Sequence, residues 1–382
     1  MKKLAISMMS GTSLDGIDII FGEVEGSKTS TKVKILHAKT YPYDKELLKK
    51  IEKAISLNHS TSKLLCSLNF ELAEAYSKCV FTFCENFDID LSLIDFIANH
   101  GQTIYHISEN EDSYSMSSLQ LGDGSVLANL TKTPVVSNFR VADIAQGGNG
   151  APLVPYANYV LFRSKEKTRI LQNIGGISNL TYLKKNCNLN DVIAFDNGPG
   201  NMMIDYAMQS LFNKRYDEDG STAKSGFLIN EMFDEIVKHP YFNKLPPKST
   251  GRELFGKDYC DYLLKKYHDF DKEDIVCTLT HVTAYTIVKS YQMFLESYTP
   301  ENEIIITGGG SKNQTLLDLI AYYSKSNNLY ILEDYGYDSD YFEALAFMIL
   351  ANETLLGNTS NVPKATGAND HVILGQISPV RR

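Results

Sequence analysis

Short apolar runs, broken by small polar residues, alternate along this chain with longer segments whose apolar residues fall three and four apart. The first case is "LAISMMSGTSLDGIDIIFGEV" (4–24), where Leu4–Met9 and Ile17–Val24 flank a glycine- and hydroxyl-rich turn. This predicts two strands joined as a hairpin. "KVKILHAKTYPY" continues as a third strand, and "YDKELLKKIEKAISL" places Leu47, Leu48, Ile51, Ala54 and Ile55 at helical spacing. A longer helix follows in "TSKLLCSLNFELAEAYSKCVFTFCENF", with Ser and Thr as candidate caps. "LIDFIANHGQTIYH" predicts a strand running into a polar loop, and "PVVSNFRVADIAQGGNGAPLVPY" a strand followed by a glycine-rich loop.

The second half repeats this layout. "TRILQNIGGISNLTYL" predicts another hairpin, and "DVIAFDNGPGN" a strand whose glycine turn opens the helix "MMIDYAMQSLF". "EIIITGGGSKNQTLLDLIAYY" gives strand, glycine turn and helix, and "YFEALAFMILANETLL" a last long helix. No stretch repeats at the level of identity, so the duplication is one of layout. The expected architecture is α/β, with two domains and a cleft between them. The first is expected over 1–133, with 343–382 a candidate to rejoin it, and the second over 134–342.

Composition narrows the function classes. At 382 residues two domains are the prior, and 43% apolar with 22% charged residues is ordinary globular usage. A net charge of −9 without a basic patch argues against nucleic acid and anionic membranes. Asp15 ends the first apolar stretch far short of a membrane span. The six cysteines have no CxxC or regular spacing, and no HExxH or zinc-spaced Cys/His set occurs. The expectation is a cytoplasmic protein with free thiols and no structural metal.

Three turns gather glycines and small polar residues at strand ends: Ser10–Gly16, Gly175–Asn179 and Thr307–Asn313. Glycine lets the backbone approach a phosphate closely, and successive N–H groups cradle an anion. Asp15 or Asp18 could hold Mg2+ through water. Neither GxxxxGK[ST] nor GxGxxG occurs. Asp196 ends an apolar run just before a rigid Asn-Gly-Pro-Gly-Asn turn, at an expected carboxyl end of a strand, where α/β sheets bind ligands. It reads either as a general base beside a phosphoryl acceptor or as an Asp bonded to its own turn. His100, Gly101, Gln102 and Thr103, like Asn138 and Arg140, are expected at strand ends. Arg140 could clamp a carboxylate or phosphate, while His100 is equally a substrate contact or a structural histidine.

Taken together, "MSGTSLDGID", "HGQTIYH", "NFRVADIA", "GAPLVPY", "NIGGISNLT", "FDNGPGNMMID", "PPKSTGRELF", "TGGGSKN" and "ATGA" resemble the anhydro-N-acetylmuramic acid kinases nearly end to end. The resemblance implies two actin-like ATPase (ribonuclease H-like) domains with a nucleotide and substrate cleft between them. It implies an enzyme of peptidoglycan recycling that uses Mg-ATP to open the 1,6-anhydro ring and phosphorylate O6, giving N-acetylmuramic acid 6-phosphate. Carried onto this sequence, Asp196 is the catalytic residue and Gly11, Thr12, Ser13, Leu14, Asp15, Gly16, Ile17 and Asp18 form the nucleotide loop. Gly175 and Gly176 are expected at phosphates, and Gly308, Gly309, Gly310 and Asn313 at the adenosine side. His100, Gly101, Gln102, Thr103, Asn138, Arg140 and Glu343 are the expected sugar contacts. A homodimer is a candidate assembly.

Four positions depart from the family pattern: Asn197 for Thr, Gly124 for Pro in Gly122-Asp123-Gly124-Ser125, Asn149 for Gln, and Asn138 for Asp. Two other readings share the motifs. One is a kinase of another small sugar or carboxylic acid, and the other is a nucleotide-binding regulator without catalysis.

Overall fold

In the computed structural model, residues 2–11, 14–108 and 113–381 are described. The chain divides into two compact units, 1–161 with 341–382, and 162–340. The segment 134–161, expected in the second domain, therefore groups with the first. Its strand hydrogen-bonds into the first sheet, which fixes its allegiance.

The first unit is built on strands β1 (Lys2–Ser10), β2 (Ile17–Glu25), β3 (Lys32–Tyr41), β4 (Phe96–Ile107), β5 (Ser117–Leu121) and β6 (Val135–Ser137). Its helices are α1 (Lys45–Ile55), α2 (Ser62–Asn86), α3 (Gly124–Thr131), α4 (Val141–Ala145) and α5 (Val154–Phe162), the last ending one residue into the second unit. In the second unit lie β7 (Arg169–Ile174), β8 (Ile177–Leu183), β9 (Ile193–Pro199), β10 (Glu303–Thr307) and β11 (Leu329–Ile331). Its helices are α6 (Met202–Phe212), α7 (Ser221–Ser225), α8 (Asn230–Val237), α9 (Arg252–Phe255), α10 (Lys257–Lys266), α11 (Lys272–Phe294) and α12 (Gln314–Ser324). The chain then returns to the first unit with α13 (Phe342–Leu355), α14 (Pro363–Thr366) and β12 (Gln376–Ser378).

Both units share one strand pattern. The first sheet runs β12-β6-β4-β1-β2-β3, with β5 beside β4. Its β1-β2-β3 meander is antiparallel, whereas β1, β4 and β6 are parallel. The second runs β11-β10-β7-β8-β9, again an antiparallel meander followed by parallel strands. Each is the ribonuclease H-like order, and crossover helices bring the later strands back to the first one, as parallel pairing requires.

Burial explains why β1 reads as a nearly continuous apolar run. Ile6 and Met8 join the core that Ile51, Leu68, Leu72 and Tyr76 of α1 and α2 complete. The alternate residues Ala5 and Ser7 point to the other face, where α13 packs. Helix α13 is apolar nearly all round because the sheet and the C-terminal segment enclose it. In the second unit α11 serves two cores. Ile275, Val276, Leu279 and Val282 pack with α6, α8 and α10, while Ala284, Ile287, Val288 and Tyr291 face the sheet.

Phe347 of α13 shows how this core supports polar residues. Its ring lies 4.7 Å from the His100 ring and 5.1 Å from Phe139. Replacing it with alanine opens a cavity under both. Phe347→Ala is therefore expected to destabilise the first unit by about 3–5 kcal/mol, read as an earlier urea transition.

Candidate active site

In the second unit, Asp196 is set by its strand and by a segment wrapped against that strand. It lies inside β9, three residues before the strand ends rather than at its terminus as expected. The ladder slips here: Asn179 pairs with Asp196 and Ser178 with Gly198, leaving Asn197 as the extra residue of a bulge. Strand alternation sends neighbouring side chains to opposite faces. Asn197 turns inward, where its Oδ1 accepts from Gln172 Nε2 at 2.9 Å and its Nδ2 donates to Ser290 Oγ at 2.5 Å. Tyr291 completes that network through Gln172 Oε1 at 2.8 Å. Asn197 thus departs from the family pattern at a packing position.

Asp196 is held from the other side by residues 241–250. Its N–H donates to Lys248 O at 3.1 Å, and its Oδ2 accepts from the Thr250 N–H at 3.0 Å. The Tyr241 hydroxyl donates to the Asp196 carbonyl at 2.8 Å. Burial raises the carboxyl pKa to about 6, against the Thr250 N–H and the Lys248 ammonium, with Glu253 adding to the rise. Lys248 is itself buried, 4.7 Å from the Tyr241 ring and 4.6 Å from Phe294. Burial pulls its pKa down to about 8, with Asp196 opposing. Thr250 Oγ1 is buried and bonds to no protein atom among the described residues. Lys248, Thr250, Tyr241 and Glu253 carry this arrangement, yet no reading of single residues marked them. The only signal was their place in and beside "PPKSTGRELF".

The glycine turns of this unit lie close together. Asn201 and Gly200, leading into α6, donate their N–H groups to Gly175 O at 2.8 Å and Gly176 O at 2.9 Å. A Cβ on Gly200 would stand 2.3 Å from Gly175 O, so only glycine permits the approach. Gly176 and Gly309 are exposed, while Gly310 is packed onto Ile174. Gly308 takes φ +79°, and a Cβ there would meet Asn173 Oδ1 at 2.5 Å. Asn313 caps α12, its Oδ1 accepting from the Leu316 N–H at 2.9 Å, which commits that oxygen to structure. Ser178 and Asn179 belong to β8 rather than to the turn. Beside these turns lies a cavity of about 520 Å³ lined by Asn201, Asp205, Asp217, Gly309, Lys312 and Asn313.

In the first unit the structure brings His100, Arg140 and Glu343 together. Residues 100–103 are not at a strand end: β4 continues through them because β5 pairs beyond, with Gln102 opposite Leu121. His100 Nε2 accepts from Arg140 at 2.8 Å, and its Nδ1 meets Gly101 O at 2.8 Å. The ring is therefore neutral with its proton on Nδ1. Burial, then the Arg140 charge, pulls its pKa down to about 3. Arg140 also donates to Gly150 O at 2.8 Å, and burial brings its pKa to about 10 while Glu343 supports its charge. Burial raises the Glu343 carboxyl pKa against the Arg140 charge, with Asp18 adding to the rise, while the side chain keeps some solvent access. Gln102 donates to Gly11 O at 3.2 Å and accepts from Tyr43 at 2.8 Å, tying the opening turn to β4.

Other expected positions also make contacts within the fold. Thr12 and Ser13 lie outside the described residues. Leu14 packs onto the first core and Ile17 is inside it, so neither side chain faces a ligand. Gly16 is pressed against Tyr41 O, where a Cβ would lie 2.7 Å away. Asp18 Oδ1 accepts from the Thr40 hydroxyl at 2.6 Å. Among the described residues no group of three or more His, Cys, Asp or Glu could hold a metal, so Asp15 and Asp18 form no closed cage. Thr103 Oγ1 accepts from Gln120 at 3.2 Å. Asn138 sits at φ +57° and donates to Gln376 at 3.1 Å. Asn149 N–H donates to Thr366 O at 2.8 Å, and Gly124 faces Ser137, so these departures too fall on packing.

The loop under Arg140 hangs on one buried carboxylate. Asp143 accepts from Gly150 N at 2.9 Å, Asn361 Nδ2 at 2.9 Å and Thr366 Oγ1 at 2.8 Å. Asp143→Ala removes three buried hydrogen bonds and leaves the Gly150 N–H without its acceptor, and it is expected to cost about 3–5 kcal/mol, measured by urea unfolding. Asp196→Asn should act oppositely. A carboxyl with a raised folded pKa stabilises the fold below its unfolded pKa and loses that contribution as pH rises through about 6. At pH 7.5 the ionised group is thus a burden, and Asp196→Asn should stabilise by up to about 2 kcal/mol, seen as a higher Tm. At pH 4 the gain should vanish.

A family model described as anhydro-N-acetylmuramic acid kinase matches residues 3–380. Proteins of that name are similar along almost the whole chain. The one from Francisella tularensis subsp. novicida (strain U112) is 49% identical, covering 98% of each chain. That of Clostridioides difficile (strain 630) is 46% identical, again with 98% of each covered. That of Bacillus cereus (strain Q1) is 45% identical over 97% of this chain and 98% of its own. The chain described here belongs to the anhydro-N-acetylmuramic acid kinase family.

Proposed function

We propose that this protein uses ATP to open the 1,6-anhydro ring of 1,6-anhydro-N-acetylmuramic acid and to phosphorylate the freed O6. The observation that supports it most is Asp196, a half-buried carboxylate with a pKa near 6 beside an unbonded Thr250 hydroxyl, in a chain of this family. In this reading Asp196 takes the proton of a water that attacks the anomeric carbon. A pKa close to working pH suits a general base, which must be ionised yet still basic. Ring opening also needs an acceptor for the leaving oxygen, a task that glycosidases give to a second carboxyl. Here the γ-phosphoryl group takes that oxygen, so one carboxylate suffices.

The remaining groups divide by chemistry. The glycine turn at Gly175-Gly176 is assigned to the phosphates, as is the opening turn from Gly11 to Asp18, and Gly308–Gly310 to the adenosine side. Mg2+ would be held by the phosphates and, through water, by Asp15 and Asp18, which suits an ion that keeps several waters. When bound it neutralises phosphate charge. His100, with its fixed tautomer, and Arg140 and Glu343 are assigned to the sugar and its carboxylate, and Gln102 to holding the loop. Six free cysteines support a reducing, cytoplasmic setting.

ADP release with Mg-ATP, with and without the anhydro sugar, tests the reading directly. Sugar-dependent release is expected, and Asp196→Asn should lower kcat on the order of 100- to 10,000-fold with KM little changed. Near-normal turnover by that variant, or turnover only with a different acceptor, would overturn it.

The pH profile offers a second check. The base must be ionised, so kcat/KM should rise with pH to a plateau through about 6. Lys248→Met removes a charge that favours the ionised form and should move that limb to higher pH.

A further inference from the structure

The cavity of about 520 Å³ in the second unit is lined by four carboxylates, and they are not equivalent. Asp217 is buried and fully used, accepting from Thr222 N at 2.8 Å and Ala223 N at 2.9 Å. Glu218 and Asp219 are exposed to water. Asp205 is half-buried, and no hydrogen bond or charge among the described residues opposes the burial of its carboxylate. Its burial without a compensating donor pushes its pKa to about 6. A carboxylate in this state at a cavity wall lacks a hydrogen-bond donor, and the cavity is where one can come from.

Position decides which donor. Asn201 leads α6 in, and its N–H is bonded to Gly175 O at 2.8 Å, so the start of α6 is fixed to the glycine turn. Asp205 stands four residues further along that helix, about 5–6 Å or one turn away. Gly309 also lines the cavity, beside Asn201. Four carboxylates outweigh the Lys312 ammonium, itself held by Asp340, so a nucleotide here directs its phosphates to the glycines and its nucleoside inward. One helical turn from the phosphate turn is the distance of a ribose, short of the base.

We propose that Asp205 reads the ribose of the phosphoryl donor, its carboxylate accepting from the 2′- and 3′-hydroxyls. This rests on the nucleotide reading above and makes Asp205 a determinant of ribonucleotide over deoxyribonucleotide use. A hydrogen bond to a charged acceptor is worth roughly 10-fold or more in affinity.

The test compares ATP, 2′-deoxy-ATP and 3′-deoxy-ATP as donors for wild type, Asp205→Asn and Asp205→Ala. Binding of ADP and 2′-deoxy-ADP is measured by calorimetry on the same proteins. Wild type should prefer ATP over each deoxy donor by roughly 10-fold in KM, with kcat similar. Asp205→Ala should raise KM for ATP to the deoxy value and erase the preference. Asp205→Asn, which keeps an acceptor oxygen, should retain part of it. An undiminished preference in Asp205→Ala overturns the assignment, as does a wild type indifferent to the sugar hydroxyls. Failure of wild type to bind ADP at all would instead bring down the nucleotide reading. An unchanged Tm for Asp205→Ala separates recognition from folding.

Discussion

The second unit's chemistry depends on how one acidic side chain is kept half out of water. Asp196 sits in a strand whose two neighbours in space come from different parts of the chain: β8 on one side, and 248–250 on the other. Lys248 O takes the Asp196 N–H on the strand's open side, and the Thr250 N–H then reaches the carboxylate, which receives an amide donor without competing for the ladder. Lys248 then supplies a charge from within an aromatic enclosure, where a lower dielectric strengthens it. Neither group is long-range decoration. Without the amide and the ammonium, burial would push the carboxyl further up.

The same economy appears in the first unit with the signs reversed. Arg140 is a guanidinium in a crowded place, and it is satisfied by a carbonyl, a neutral imidazole and a nearby carboxylate. His100 can accept from it only because burial and that very charge keep the ring neutral. Asp143 fixes the loop carrying Gly150 O to the C-terminal segment, so the arginine's geometry is set by residues more than 200 positions away. In both units a charged side chain is placed by backbone groups of a rigid loop, which limits the conformational freedom it would otherwise lose on binding.

What was legible in the sequence follows from which interactions are local. The hairpins, the long helices and the glycine turns at Gly175-Gly176 and Gly308–Gly310 rest on period-two and period-3.6 patterning and on turn chemistry, and these stand in the structure. Asp196 was legible because a rigid turn follows it. Its exact seat was not, since the bulge that turns Asn197 inward depends on Gln172 and Ser290. Residues 100–103 read as a loop because they are polar, yet β5 pairs with them and extends the strand. Lys248 and Thr250 stayed invisible as individuals because their partner lies about 50 residues earlier, and nothing local marks a lysine as buried. The segment 134–161 was misplaced for a similar reason: pairing of β6 with β4, not composition, decides its unit.

Glycine placement argues that the two kinds of constraint are linked. Gly200 is needed because Gly175 O stands where a Cβ would go, and that contact welds the β7–β8 turn to the start of α6. The bulged strand β9 leads directly into the same glycine, so the position of Asp196 and that of the Gly175-Gly176 turn are fixed by one stretch of four residues, 197–200. A rotation of that stretch would move Asp196 and the turn together, which keeps their separation constant. Side chains hung on independent loops would not preserve that distance. This is the physical reason for an Asn-Gly-Pro-Gly sequence immediately after the acidic residue: each position either packs inward, permits close approach, or stiffens the link between them.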